Sequence, residues 1–392
     1  MAKPYPNFSY ASTFNVAGVF AFQVSDNGAE GAIVTTPYRR RRSLVSLALA
    51  TAIAASPFTA RAATTGIWNA GSGEWTNAIN WTSNPLYPST PDDFAYFQSP
   101  NSITVTVASP VSVGGILIDL NSITFSSTTG GSITLSSTTG SSEILATSNV
   151  TGTGMTFSLP VNLASNAVIT NDAPANLLFS APFSGTGNLT LNGSGTVTLR
   201  GSSSAWNPAS VIVNSGVLST SGGVLTSLGN LSSGTVTINA GASLDASGLT
   251  FSTASAFAKA LVLSGAGNAG SPGALVFGAP TTALLGTEVL SGPTTIYGKT
   301  VGAILNIGYS TGAASGAALI GTGPLIKSGT GTMQLNIPAT FTGGTQVNGG
   351  TLTVSQYGSL VGTGQITVNT GGKLSLAEPA GNTPASNSVC SY

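Results

Sequence analysis

Residues 321–354 read GTGPLIKSGTGTMQLNIPATFTGGTQVNGGTLTV. Short runs that alternate apolar and small polar residues are separated by Gly pairs and Gly-Thr-Gly triplets. Leu325, Met333 and Leu335, then Val347, Leu352 and Val354, fall where a strand turns inward, and Thr, Gln and Asn fill the outward positions. Period-2 alternation in short runs broken by Gly and Asn is the pattern of strands and tight turns. The strands are too short and too evenly spaced for an ordinary sandwich.

The pattern recurs. Residues 185–218 read GTGNLTLNGSGTVTLRGSSSAWNPASVIVNSGVL, and Gly185, Gly187, Leu189, Gly193, Gly195 and Leu199 each lie 136 positions before Gly321, Gly323, Leu325, Gly329, Gly331 and Leu335. Trp206 takes the place of Phe341. Residues 213–218 match 347–352, and 234–244 match 364–374. Units that cannot bury an apolar face alone, repeated along a chain, point to a stacked solenoid.

Composition narrows the function classes. The 392 residues hold 51 Gly, no His, one Cys and only 6% charged side chains. The apolar residues are scattered rather than continuous, which argues against membrane-spanning helices. Val, Ile and Leu recur at strand spacing, which argues against disorder. The lone Cys390 leaves stacking and the core as the sources of stability.

Taken in order, residues 1–38 form an extension without periodicity. Arg39–Arg42, the apolar run Ser43–Ala55 and the ending Ala60-Arg61-Ala62 make residues 39–62 a secretory signal peptide, with cleavage expected after Ala62. Beyond it stand five bases and nine acids, a net −4, so nucleic acid is disfavoured as a partner. Residues 63–101 hold Trp68, Trp75 and Trp81. They read either as an aromatic platform for sugars or as an N-terminal cap on an open strand edge. The general need to cap repeat arrays favours the cap. From Ser102 the strands are expected to begin and to run to Leu376, with long repeats at 185–244 and 321–376. Residues 245–320 are less regular, and Ala256–Leu263 suits a short helical turn. The tail 377–392 loses alternation.

These observations specify an all-β chain folded as a parallel β-helix (β-solenoid). Residues 63–392 would make on the order of 15 rungs and a rod of about 70 Å. Asn214, Asn239, Asn348 and Asn369 recur at matching turns, where stacked amides can bond along a ladder.

The stretch Leu325, Lys327, Gly329, Gly331 and Leu335, then Phe341, Gly343, Gly344 and Thr345, then Val347, Asn348, Gly350 and Leu352, closely resembles the autotransporter-associated β-strand repeat, also called the passenger-associated transport repeat. The copy at 185–218 departs from the family pattern: Leu191 stands in place of the Lys and the T-G-G-T element is lost. The block from Trp68 through Asp93 is similar to the start of large secreted bacterial proteins carrying this repeat. The resemblance implies a right-handed parallel β-helix in a secreted or surface-exposed, outer-membrane-associated passenger, whose repeat aids translocation. Classical members end in a membrane β-barrel. None is recognised here up to Tyr392, so either another protein exports or anchors the chain, or it is a fragment.

Little chemistry is on offer. Without His there is no His-based triad and no His-ligated metal. Asp92-Asp93 is the one adjacent acidic pair and reads as a turn cap more readily than as a catalytic pair. Residues 265–270 match G-x-G-x-x-G, but Ser-Pro-Gly follows where a helix should open, so a dinucleotide site is not expected. No cofactor is expected. The leading expectation is a non-enzymatic, adhesin-like or structural solenoid that binds surface glycans or cell-surface proteins through Thr/Ser/Asn-rich faces and Trp206. The alternative is a carbohydrate-active enzyme or binding module, which would need Asp119, Glu143, Asp172 and Asp245 gathered on one face.

Overall fold

The computed structural model describes residues 63–377, apart from 100, 153, 221, 223–224, 231, 250–256, 312–315 and 363. The extension 1–38, the signal region with Ala60 and Ala62, Cys390 and the tail from residue 378 lie outside the described residues.

All the described strands that pair do so in parallel, coil upon coil, as a β-solenoid. One ladder runs from Thr65–Trp68 through Phe94–Ser99, Gly115–Leu120 and onward to Ser359–Leu360, and a second from Gly73–Glu74 to Ile366–Val368. Each contains 13 strands among the described residues. Twelve steps of about 4.8 Å give a rod of roughly 60 Å, somewhat shorter than the sequence expectation. Coils vary from 19 residues (Thr332 to Thr351) to 32 (Gly73 to Val105). A third ladder comes in two pieces, from Val111–Val113 to Phe183–Gly185 and from Thr282–Leu284 to Gly372–Leu376.

Alternation decides what is inside. In Ile103–Thr106, Ser122–Ser126 and Ser142–Ala146, buried residues alternate with partly exposed ones. The N-terminal half of the core is aromatic. Phe125, Phe157 and Phe179 are register partners on successive coils, with centroids 4.5 and 4.7 Å apart. Phe183 and Trp206 extend the column at 4.9 and 5.3 Å. Each such ring buries about 1.5–3 kcal/mol of apolar surface, and each ring pair adds about 0.5–1.5 kcal/mol.

Two local expectations are corrected. The ladders begin at Thr65 rather than Ser102, because alternate residues of Thr65–Trp68 and Phe94–Ser99 already face the core. Ala260–Gly265 is a strand rather than a helical turn: Leu261 and Leu263 face inward at period 2, and ladder partners on both sides override helix propensity.

Candidate functional site

At the N-terminal end, Trp68, Trp75 and Trp81 are 2, 0 and 1% exposed. Their indole N–H groups donate to the carbonyls of Gly71, Pro88 and Trp75 at 2.9, 2.7 and 2.6 Å. Buried rings with satisfied N–H groups cannot serve as a sugar platform. The segment 80–82 lies antiparallel against the first strand: Trp68 bridges Trp81, and Thr82 N–H donates to the Ile67 carbonyl at 2.9 Å. Trp206 is equally enclosed, at 0% exposure, with Nε1 donating to the Gly187 carbonyl at 3.0 Å. The expectation that Trp206 contacts a ligand is therefore corrected: it fills a corner of the core.

The acidic residues are dispersed. Asp93 accepts from the backbone N–H groups of Thr64, Ser89 and Thr90 at 2.6, 2.9 and 3.0 Å, which pins the turn before the strand Phe94–Ser99. Asp92 adopts φ 68° and accepts from Ser137 Oγ at 2.7 Å, Thr138 N–H at 2.9 Å and Thr138 Oγ1. The bond from the Thr138 hydroxyl, then that from Ser137, holds its carboxyl below the usual range. Asp119 is likewise lowered, first by Thr147 and then by Asn149, at 2.6 and 2.9 Å. Three of the four carboxylates that an enzyme would need together fall along the first ladder on successive coils. Asp119 is next to last in one strand, and Glu143 is second in the next, where it pairs with Gly115. Asp172 follows a strand one coil on, and Asp245 lies in the second ladder. Among the described residues no three of His, Cys, Asp and Glu form a metal-binding group. Gly265–Gly270 is a turn closed by an Asn268–Ser271 bridge, not a phosphate loop opening a helix.

The best-defined constellation is the coil pair that opens the sequence reading. Leu325, Met333, Leu335, Phe341, Val347 and Leu352 are all 0% exposed. Leu325–Gly329 stacks on Thr345–Val347, and Thr332–Leu335 stacks on Gly350–Val354. Lys327 shares the inward side with Leu325 and is itself 0% exposed. Its ammonium donates to the Ser328 carbonyl at 2.7 Å and the Gly349 carbonyl at 3.0 Å, with Gly329 at 3.5 Å, and lies 5.9 Å from the Phe277 ring centroid. It therefore joins its own coil to the next. Burial lowers its pKa from 10.5 to about 8. The glycines of the motif make this approach possible. Gly350 takes φ 62°, and a Cβ there would lie 2.4 Å from the Gly331 carbonyl oxygen. Gly343 and Gly344 turn the chain into Thr345, which is 1% exposed. Asn348 stays outside and accepts from Asn369 Nδ2 at 2.7 Å. The expected amide ladders are present, and Asn239–Asn214 at 2.8 Å is extended by Asn192 at 2.9 Å.

Comparison with known families decides what this coil pair is. The model of the passenger-associated-transport-repeat matches residues 325–354. The chain carries a passenger-associated transport repeat. The match begins at Leu325 and ends at Val354, so it covers the two stacked strand pairs that Lys327 ties together. No curated protein and no solved structure matches the chain.

The role of Lys327 in binding carbonyls was legible in part, since alternation with Leu325 places it inside. Two other inward charges, Lys259 and Glu288, were missed. The same rule finds them, because they alternate with Leu261 and with Leu290.

Proposed function

We propose that this chain is an exported passenger, a non-enzymatic rod displayed at or released from a bacterial surface in an adhesin-like or structural role. The observation that carries the reading is a passenger-associated transport repeat built into a continuous parallel solenoid. The basic and apolar run at 39–62 supports export through an outer-membrane partner. The non-enzymatic part is supported by the carboxylates: Asp92 and Asp93 serve turns, and Asp119, Glu143, Asp172 and Asp245 are spread over several coils. Surface glycans or other cell-surface proteins are the partners in this reading. They are met through the exposed Thr, Ser and Asn side chains that line the outer positions of the ladders.

The test is localisation of the tagged full-length protein, with mass spectrometry of its N-terminus. The reading expects surface or medium fractions and a chain starting at Ala63. A cytoplasmic protein retaining Met1 would overturn it. Release of sugars from a panel of polysaccharides by the purified rod would overturn the non-enzymatic part alone.

A further inference from the structure

The middle of the rod is built differently from its ends. Between Phe183–Gly185 and Thr282–Leu284 the third ladder has no described strand, and Trp206 and Phe257 attach to Gly185 and Leu284 by single bridges. The pairing of Ala260–Gly265 with Thr287–Gly298 slips here: Leu263 faces Leu290, whereas Gly265 faces Thr294. A small apolar cavity lies in the same section, lined among others by Leu228, Leu249, Phe257, Leu261, Leu284 and Leu305.

Two ionisable side chains enter this section without partners. Lys259 and Glu288 are each 1% exposed, and neither Lys259 Nζ nor either Glu288 carboxyl oxygen makes a hydrogen bond. Leu261 is the register partner of Glu288, so Lys259, two residues earlier on the same inward side, enters the core two positions away on the neighbouring coil. The strands packed around them, Thr235–Ile238, Ala318–Gly321, Thr282–Leu284 and Ile304–Ile307, carry no ionisable side chain. Leu325–Gly329 brings Lys327, which is already held by three carbonyls. The Lys299–Asp245 ion pair, at 3.6 Å, is on the outside. An uncompensated buried charge is among the costliest things a core can hold.

We propose that the coils between Lys259 and Glu288 are a seam at which the solenoid opens into an N-terminal and a C-terminal block, and that the protonation of these two side chains sets how readily it opens. A solenoid is close to one-dimensional, so its cooperativity breaks first at the weakest coil-to-coil interface. The aromatic column ends at Trp206, before the seam. The third ladder resumes at Thr282–Leu284 and Lys327 approaches Phe277, so what sets the seam apart is the slipped pairing of the first ladder and the two unpartnered groups on either side of it.

The two groups act in opposite directions. Burial lowers the Lys259 pKa from 10.5 to about 8, so the closed seam binds fewer protons than the open one. Closure therefore strengthens as pH rises from about 8 to 10.5. Burial raises the Glu288 pKa well above 4.5, so its contribution favours closure at low pH and is lost as pH rises through the folded value.

The experiment is urea unfolding of the full chain at pH 7, 8.5 and 10, with limited proteolysis to locate the first opening. Native protein should be cut first between the two blocks and show a separate early transition. In a Glu288→Gln background the Lys259 linkage alone predicts a fall of the opening constant by about 70-fold from pH 7 to pH 10. Lys259→Met should reduce opening at pH 7 by at least about tenfold and remove that pH dependence. A Lys259→Met protein that opens more readily than native, fails to fold, or keeps the native pH profile would overturn the proposal. So would first cleavage at either end of the rod, a measurement that needs no variant.

Discussion

Lys327 gives the sharpest test of how the repeat coil is held. Lys327→Ala removes the donor of bonds at 2.7 Å to Ser328 and 3.0 Å to Gly349, and leaves both carbonyls facing a core. Bonds to a charged group are worth about 1.5–3 kcal/mol each, so the two together amount to about 3–6 kcal/mol. Three methylenes leave the core as well, at about 0.8 kcal/mol each. Against this, an ammonium no longer has to be kept from water. Its pKa stands at about 8 rather than 10.5, and a change of one in pKa is about 1.4 kcal/mol, which returns about 3 kcal/mol. The net loss is about 2–5 kcal/mol. Lys327→Met keeps the stem and should cost about 0–3 kcal/mol. The sign of the pH effect follows from the lowered value: the folded chain binds this proton less tightly, so native stability rises between about pH 8 and 10.5, and the slope shrinks in both variants. Urea unfolding followed by far-UV circular dichroism measures all of this. An Ala variant within about 0.5 kcal/mol of native, or a Met variant that costs more than Ala, would refute the account of Lys327 as the tie between coils.

Leu352→Asp places an unpaired carboxylate between Met333 and Leu374, and should lower stability by more than about 4 kcal/mol in a thermal melt. Trp206→Ala empties a corner next to Phe183 and should cost about 3–5 kcal/mol, with loss of near-UV dichroism. Gly350→Ala forces a side chain into φ 62° and against the Gly331 carbonyl, so a cost of about 1–3 kcal/mol or more is expected by urea unfolding. Asn214→Ala breaks two amide bonds of an exposed ladder, and should change the urea midpoint by no more than about 1 kcal/mol in equivalent stability.

The architecture was legible because a solenoid writes it twice, once in alternation and once in the repeat. Leu325, Met333, Leu335, Val347 and Leu352 face inward as the alternation requires, and Asn214, Asn239, Asn348 and Asn369 bond along the axis as their spacing requires. Partnership was less legible. Trp206 has the composition of a binding residue, and only the column Phe157, Phe179, Phe183 shows that a ring is needed at its corner. Asp119 and Asp172 differ little as letters from catalytic acids, and the coil on which each falls depends on turn lengths that alternation does not record. Lys259 resembles a surface Lys until its strand is known.

The repeat itself carries the clearest instance of what alternation leaves open. Leu189–Asn192 lies in the first ladder and Thr196–Leu199 in the second, whereas their sequence counterparts Leu325–Gly329 and Thr332–Leu335 lie in the second and third. The two copies are therefore displaced by one face. The register shows why. Leu191 leads through Val213, Ile238, Leu263 and Leu290 to Gly321, a rise of five coils in 130 residues, while the sequence repeat is 136 residues. The excess of six residues is about one strand and its turn. All faces present the same interior to an inward Leu or Val, so a strand, Gly corner and strand can sit on any two neighbouring faces without loss. What repeats is the corner and its two strands, not a position around the axis. Lys327 follows from the same logic. It acts on the carbonyls of its own corner and of the corner one coil on, so it works wherever the unit lands, provided glycine lets the two corners approach.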